Sequence, residues 1–498
     1  MTDDLNREDA SNFTARRATA EKLVRQGIDP YPPKVARTHS NRTVQKTYEG
    51  LAAGETVEGL VSVAGRVSSI RNSGMFVDIF DGTSKLQLYF DTKNGPPAAT
   101  SVLADLDLGD ILSASGRMRR TKRGELTLDV AEAQIATKSL RQPPEKYHGI
   151  TDVELRTRKR YLDFLSNEES RAKIVVRSRL ITAVRRFLTD RDFLEVETPM
   201  LQPIYGGAAA RPFRTHHNTL NLTLYLRIAP ELYLKRLIVG GVSDRIFELN
   251  RNFRNEGIST RHNPEFTMLE VYQAFADYKD IMSLLEEMLR SVIAEATGGT
   301  LVKINDHEID FADPFRQLSM VDEASKALDI DFRNSHDLPS LRRQVSDALK
   351  REVDPLATWG ELVELAFEQK VEVTLMNPTH VIDFPAEISP LAKRSPHDPR
   401  LAERFETYIY GMEIANAFSE MNDPVRQREI LVAQVEAAHA RGELENELDN
   451  DFLEALEYGM PPTGGLGVGI DRLAMIATGS SSIREVIAFP TVRPMRDG

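Results

Sequence analysis

The sequence predicts an α+β protein in two parts: a small β-barrel near the N-terminus, then a larger domain of antiparallel strands flanked by helices. Three observations lead there. Short alternating runs crowd residues 60–137. Residues 170–190 repeat Ile174, Arg177, Ile181, Val184, Phe187 and Leu188 at helical spacing. Between Arg245 and Tyr278 two alternating runs flank a polar loop, the pattern of a long antiparallel hairpin.

Composition bounds the possibilities. At 498 residues the chain is long enough for two to four domains. Its 41% apolar and 28% charged residues are those of a soluble globular protein, and no apolar run is long enough to span a membrane. The start, MTDDLNRED, is too acidic for a secretory signal. Having no Cys excludes disulfides, thiolate ligands and a Cys nucleophile, and it fits a reducing compartment such as the cytoplasm. A net charge of −12 argues against a protein that coats nucleic acid, so any RNA contact must come from local basic patches.

Residues 1–55 read as an N-terminal helical extension. The stretch 12–26 is a helix ended by Gly27 and the Asp29-Pro30 turn. Arg16, Arg17, Lys22 and Arg25 make it basic, which suits a solvated face or an RNA contact equally. Residues 30–55 are a linker or edge.

Residues 56–140 hold the barrel. Val61, Val63 and Val67 largely alternate, as do Met75, Val77 and Ile79, then Leu86, Leu88 and Phe90, then Leu126, Leu128 and Val130. Four or five short strands in this length fit a five-stranded barrel of the oligonucleotide-binding kind, the OB-fold. If Val77 and Ile79 face inward, Phe76 faces out, and so does Gln87 on its own strand. An exposed aromatic beside an amide suits single-stranded base recognition, by stacking and hydrogen bonding. Arg117, Arg119, Arg120, Lys122 and Arg123 form a basic run around Gly124, read as a hairpin loop that either holds phosphates or is simply solvated. Residues 141–165, with Pro143-Pro144 and the cluster Arg156, Arg158, Lys159 and Arg160, read as a linker into residues 166–498.

The helix 170–190 is followed by FLEVETPML, a short strand ended by Pro199. Gly206, Gly207 and three Ala leave room for a ligand to approach backbone. His216 and His217 are adjacent on a strand and point to opposite faces, so they do not share a metal. In the hairpin, Phe247, Leu249 and Phe253 alternate with Glu248, Asn250, Asn252 and Arg254. Gly257, Arg261, His262 and Asn263 make the loop, and Phe266, Met268, Glu270 and Tyr272 share one parity of the return strand. Arg254 offers a rigid donor fork for phosphate or carboxylate, and Phe266 a surface for a base.

Residues about 279–375 read as a helical insertion, with Trp359 as a packing residue. Near residues 400–424, Glu406 and Glu413 recur close to a Gly, and Asn416, Phe418 and Glu420 share one strand parity. Such oxygen ligands suit Mg²⁺ bridging to phosphates. Glu413 is out of phase with Glu420, so both reach one site only if the strand bulges or if they approach from different sides. From Glu443 the chain reads as an acidic amphipathic helix with a solvated face. The glycines of GGLGVGIDRLAMIA do not follow the dinucleotide pattern, and no GKS or GKT phosphate loop exists.

FRNEG and RHNPEFTMLEVYQAFADY resemble motif 2 of the class II aminoacyl-tRNA synthetases in its lysyl form, over about 245–278. The helix with FLEVETPML looks like motif 1, about 170–200, which in that family forms the dimer interface. GGLGVGIDRL with SSIREVIAFP looks like motif 3, about 464–490, and RTRKRYLDF resembles the family's linker into its catalytic domain. The resemblance spans roughly residues 12–498. Departures are Asp192 where the family commonly has Gly, Met412 where it often has Arg, and Ala415 and Ala417 where it often has Gly. Asp192 puts a local turn in doubt, and the others are small or surface-tolerant.

The resemblance implies an OB-fold anticodon-binding domain joined to a class II catalytic domain. It implies activation of L-lysine with ATP, then transfer to the 3′ end of tRNA(Lys), in a homodimer. Arg254 and Arg472 would be catalytic. Arg254, Glu256, His262, Asn263, Phe266, Glu406 and Arg472 would hold ATP, and Glu406 and Glu413 would hold Mg²⁺. Gly207, Glu231, Glu270 and Tyr272, with Asn416, Phe418 and Glu420, would hold lysine. Arg71, Phe76, Gln87 and Glu125 would read the anticodon. A closed pocket for a cationic side chain needs carboxylate, which Glu231, Glu270 and Glu420 supply. Which glutamate meets the α-amino group and which the ε-ammonium stays open, with Glu420 and Tyr272 favoured for the ε end and Gly207 with Glu231 for the α end. The alternatives are an aspartyl- or asparaginyl-type enzyme, which needs a basic or amide-rich pocket, a paralogue that lysylates a protein, and a non-catalytic RNA-binding paralogue. The protein-lysylating paralogues usually lack the anticodon barrel, and the non-catalytic reading predicts loss of Arg254, Glu406, Glu413 or Arg472.

Overall fold

The computed structural model describes residues 2–144, 150–440 and 448–494, and backbone only at 2–9 and 438–440. The chain forms two compact units, Met1–Thr151 and Asp152–Gly498.

In the first unit, helix α1 (Thr2–Arg25) begins earlier than the sequence pattern suggests and stops before Gly27, which takes φ +76°. Its basic residues are largely used inside the unit. Arg16 is buried and donates to Leu108 O and Ser139 O at 2.9 and 3.1 Å, while Lys22 pairs with Asp105 at 2.8 Å. Five strands follow: β1 (Thr56–Arg71), β2 (Phe76–Phe80), β3 (Lys85–Tyr89), β4 (Ile111–Arg120) and β5 (Leu126–Thr137). They close in the order β1-β2-β3-β5-β4. Val63, Val77, Ile79, Leu88, Leu112 and Leu128 fill the interior, as the alternation requires. Asp78 departs from it, because Ser69, Arg71 and Lys85 surround its buried carboxylate. The basic run is not one loop. Arg119 lies on β4, paired with Asp129 at 2.7 Å and over the Tyr89 ring, and Arg120 bonds the carbonyls of Tyr48, Glu49 and Gly124. Lys122 and Arg123 alone occupy the exposed tip.

Residues 152–166 belong to the second unit. There Asp163 accepts from Arg156 at 2.9 Å and from Arg160 at 2.6 Å, and Arg160 continues to Glu485 O. The expected basic linker is therefore partly an internal lock. Helix α2 (Glu168–Thr189) buries Leu180, Ala183, Val184, Phe187 and Leu188, with Ile174 and Ile181 only half-buried. Asp192 adopts φ +64°, the left-handed turn that Gly would take at no cost. Strand β6 (Leu194–Glu195), helix α3 (Glu231–Val239), β7 (Arg245–Phe253), β8 (Glu265–Ala274) and helix α4 (Tyr278–Thr297) come next.

Helix α4 is not part of an insertion. Ile281, Leu285, Met288, Leu289, Val292, Ile293 and Ala296 seat it in the same core as α2, where each large apolar chain contributes roughly 1.5–3 kcal/mol. A hairpin, Leu301–Ile304 with His307–Asp310, and strand β9 (Arg316–Ser319) follow, neither foreseen as strand. The insertion proper is α5 (Met320–Leu328), α6 (Leu338–Leu349) and α7 (Trp359–Lys370), around their own core. Trp359 packs there and donates to Phe332 O at 2.9 Å.

Strands β10 (Thr379–Ile382), β11 (Arg404–Ile409), β12 (Met412–Ser419) and β13 (Thr463–Gly469) lead into helix α8 (Ile470–Thr478). The sheet runs β9-β10-β11-β12-β13-β8-β7-β6. Both faces of β7 are covered, so Glu248 is buried, held by Arg227 and Thr198 at 2.7 Å each, where half-burial was expected. The acidic helix expected from Glu443 lies outside the described residues up to 447, and Asn450–Glu457 buries Phe452, Leu453 and Leu456.

Candidate active site

Four strands bring the site together by register. Glu270 on β8 lies opposite Gly467 on β13, which lies opposite Asn416 on β12, which lies opposite Glu406 on β11. The next row is Tyr272, Gly465, Phe418 and Arg404. Side chains of alternate residues share a face, so each row projects into one cleft, of about 380 Å³. The glycines of β13 form its floor. A Cβ on Gly465 would sit 1.8 Å from Glu420 Oε1, and one on Gly467 would sit 2.5 Å from Met268 Cε.

Register also settles the phase of Glu413. Thr407 pairs with Ala415 but Tyr408 pairs with Glu413, so Ile414 is an extra residue, a β-bulge. It turns Glu413 into the cleft that Asn416, Phe418 and Glu420 enter from the far side of the bulge.

One end of the cleft is closed and acidic. Glu231, Glu270 and Glu420 are all buried there. Tyr272 Oη donates to Glu270 at 3.1 Å. Burial, then the nearby Glu231, pushes the Glu270 carboxyl up to about 8. Gly207, at φ +84°, lets the chain pass beside Glu231, where a Cβ would meet that side chain at 3.0 Å.

The other end carries arginines. Arg254 lies 5.1 Å over the Phe266 ring, and its Nε has no hydrogen-bond partner among the described residues. Arg472 donates to Glu413 O at 2.7 Å and to its carboxylate at 3.1 Å, and its Nη2 lies 3.1 Å from His262 Nε2. Burial and Arg472 both lower the His262 pKa, so the ring is neutral. Nε2 then accepts from Arg472, and Nδ1–H donates to Ser259 Oγ at 2.9 Å. Glu256 lines the same end. Asn263 lines it too, with its amide committed to Glu265 O and Thr491 N. Those two bonds fix its place in the loop and leave one N–H and one lone pair of the amide uncommitted.

Glu406 is held by Arg404 and by Tyr408 Oη at 2.5 Å each. Burial pushes its carboxyl up to about 7; Arg404 opposes that and Glu413 adds to it. Two facing carboxylates in one cleft form an oxygen donor set that a hard cation would relieve, and this fits Mg²⁺ completed by phosphate oxygens. Among the described residues no group of three His, Cys, Asp or Glu forms a cage, and His216 and His217 are exposed on the strand Phe213–His217.

Sequence reasoning missed three participants. Lys235 sits one helical turn after Glu231 and pairs with it at 2.7 Å, and it also pairs with Glu420. Arg404, two residues before Glu406 on the same strand face, donates to Asn416 Oδ1 at 3.0 Å. Arg177 was read only as part of the helical repeat, yet it holds Asp471 at 2.7 Å. The i,i+4 and i,i+2 spacings were the available signals for the first two.

On the barrel, Arg71, Phe76 and Gln87 meet on one exposed face. Arg71 donates to Gln87 Oε1 at 3.0 Å and lies 6.0 Å over the Phe76 ring. Gln87 donates to Thr127 Oγ1 at 2.9 Å, and exposed Glu125 precedes that strand.

Residues 152–493 match the family described as tRNA synthetases class II (D, K and N), and residues 61–136 match the OB-fold nucleic acid binding domain. The chain is 53% identical over 489 residues to a lysine–tRNA ligase of Sinorhizobium medicae and 52% identical to one of Rhizobium meliloti. Each match covers 98% of both chains. It is 48% identical to a lysine–tRNA ligase of Pelotomaculum thermopropionicum, over 96% of this chain and 94% of that one.

Proposed function

Since the chain belongs to the class II tRNA synthetases, in their lysine–tRNA ligase branch, we propose that this cleft joins L-lysine to ATP and passes the lysyl group to tRNA(Lys). It is a ligase. Lysine's carboxylate attacks the α-phosphate of ATP, giving lysyl-adenylate and pyrophosphate. The 3′-terminal adenosine of the tRNA then takes the lysyl group. Neither step needs a protein nucleophile, so catalysis is positioning and charge neutralisation.

Arg254 bridges the lysine carboxylate and the α-phosphate, for which its unpartnered Nε is suited. Phe266 stacks the adenine, Arg472 meets the terminal phosphate, and His262 and Glu256 border the nucleotide. Glu406 and Glu413 hold Mg²⁺, which when bound neutralises phosphate charge. Glu420 and Tyr272 take the ε-ammonium, and Glu231 beside Gly207 takes the α-amino group. Glu270 completes the acidic wall, and Asn416 and Phe418 line the path between the ends.

The observation that carries the choice of lysine is the set of three buried carboxylates at the closed end. Aspartate or asparagine would need a basic or amide-rich pocket there. The intact Arg254, Glu406, Glu413 and Arg472 argue against a non-catalytic paralogue. Arg71, Phe76, Gln87 and Glu125 would read the anticodon. A homodimer is supported by apolar side chains exposed on this chain near α2 and β6, at Val175, Leu194 and Leu201. The cytoplasm is supported by the absence of Cys.

The test is ATP–pyrophosphate exchange with each amino acid supplied singly, and Arg254→Ala as control. Exchange with lysine alone, lost in the control, is the expected result. Exchange with aspartate or asparagine instead would overturn the pocket assignment.

A further inference from the structure

We propose that Lys235 is a positioning residue that sets specificity: an internal ammonium that fixes the separation of the two carboxylates receiving lysine's two amino groups. The proposal rests on the reading that Glu231 and Glu420 receive those groups.

Lys235 is fully buried. Its Nζ lies 2.7 Å from Glu231 Oε1, contacts Glu420 Oε2, and stands 5.5 Å over the Phe418 ring. A buried ammonium stays charged only where carboxylates surround it. Burial pulls its pKa down, and Glu231 and Glu420 outweigh that and raise it.

The geometry divides each carboxylate between Lys235 and the cleft. Glu420 turns Oε2 to Lys235 as an ion pair, and its Oε1 faces Gly465 and Tyr272; neither oxygen has a directed hydrogen-bond partner among the described residues. Glu231 gives Oε1 to Lys235, and its Oε2 is the oxygen on the Gly207 side. One cation thus clamps two carboxylates from α3 and from the end of β12. Glu420 is tied there as well by its backbone N–H to Thr463 O at 2.8 Å. The distance between the two outward oxygens is then set by the protein, and it measures the chain between two ammonium groups.

Charge agrees with this. Glu231, Glu270 and Glu420, when ionised, carry three negative charges against one positive on Lys235. The remainder matches the two ammonium groups of a diamino acid. Burial holds the Glu420 carboxyl well above its ordinary range, and Lys235 is the group that opposes this, so losing Lys235 would push it higher still. Glu231 and Glu420 would also be free to rotate toward a shorter substrate.

The experiment is exchange kinetics of the full chain with lysine and with ornithine, one methylene shorter, in Lys235→Met, Lys235→Gln and Glu420→Gln variants. For the Lys235 variants KM for lysine should rise roughly tenfold or more and the preference for lysine over ornithine should fall by a similar factor. KM for ATP should stay within about twofold. A folded Lys235 variant with unchanged lysine KM and unchanged preference overturns the proposal. So does one in which both KM values rise together, since that marks a general structural role. If Met prevents folding, the Gln variant decides. An unchanged lysine KM in Glu420→Gln would sink the pocket reading itself. A raised KM there, with the Lys235 variants unaffected, would sink only the proposal.

Discussion

Arg177 Nη2 donates to Asp471 Oδ1 at 2.7 Å and to Thr267 Oγ1 at 2.9 Å, while Asp471 Oδ2 accepts from Thr267 N at 2.7 Å. One ion pair thereby ties α2, β8 and α8 together, beside the cleft arginine Arg472. Asp471 is nearly fully buried, so removing its partner strands a charge. Arg177→Met should therefore cost about 3 kcal/mol or more. It should lower the urea midpoint followed by the fluorescence of Trp359, the one Trp in the chain and a member of the second unit. Exchange activity should fall as well, because Arg472 loses the anchor of its helix. An unchanged midpoint would show that the pair is worth little.

Gly465 has a different job. Its missing side chain leaves the space that Glu420 Oε1 occupies. Gly465→Ala should raise the KM for lysine tenfold or more, by roughly 1.4 kcal/mol or more of lost binding, with the KM for ATP little changed. Equal damage to both would point to a disturbed sheet, not a filled pocket.

The pH dependence of Glu270 has a definite sign. An ordinary glutamate loses its proton near 4.5, but folded Glu270 keeps it to about 8. Between those values the folded state binds the extra proton. The stability held by the neutral carboxyl is complete below the ordinary value and is lost as pH rises through about 8. Glu270→Gln cannot ionise, so its urea midpoint should gain on the parent's as pH rises from about 5 to about 8. Lysine should bind the parent better over the same rise, because its ammonium favours the ionised form. Its KM at saturating ATP and Mg²⁺ should fall accordingly. A constant gap between the two midpoints would rule out the shifted carboxyl.

On the barrel, Phe76→Ala should weaken tRNA charging and spare ATP–pyrophosphate exchange, since exchange needs no tRNA contact on that unit. Stacking of one base is worth about 1–3 kcal/mol, so kcat/KM for tRNA should fall roughly 5- to 150-fold. Full charging activity in the variant would rule out a contact between Phe76 and tRNA.

Much of this was legible because strand periodicity is local. The barrel strands, the hairpin and the parity of Asn416, Phe418 and Glu420 all follow from alternation. What alternation cannot show is a partner far away in sequence. Asp78 and Glu248 sit at outward parity yet are buried, because Arg71, Lys85 and Arg227 reach them from other segments. Helix α4 read as an insertion because its charged face is obvious in sequence, whereas the core it joins is assembled from α2, α8 and the sheet. The bulge at Ile414 was foreseen only as one of two possibilities, since the extra residue is defined by its unpaired place opposite β11.

The strand that carries the glycines comes latest in sequence of the eight in its sheet, and it lies inside that sheet between β8 and β12. On the ribosome this order matters. Until residues 463–469 emerge, β8 and β12 each keep an open edge of unpaired backbone, the kind of edge that recruits other chains. The sheet then exists as two halves with no backbone ladder between them. A nascent chain halted before that point would lack the floor of the cleft and leave those two edges exposed, so the site cannot form until residues 463–469 have joined the halves.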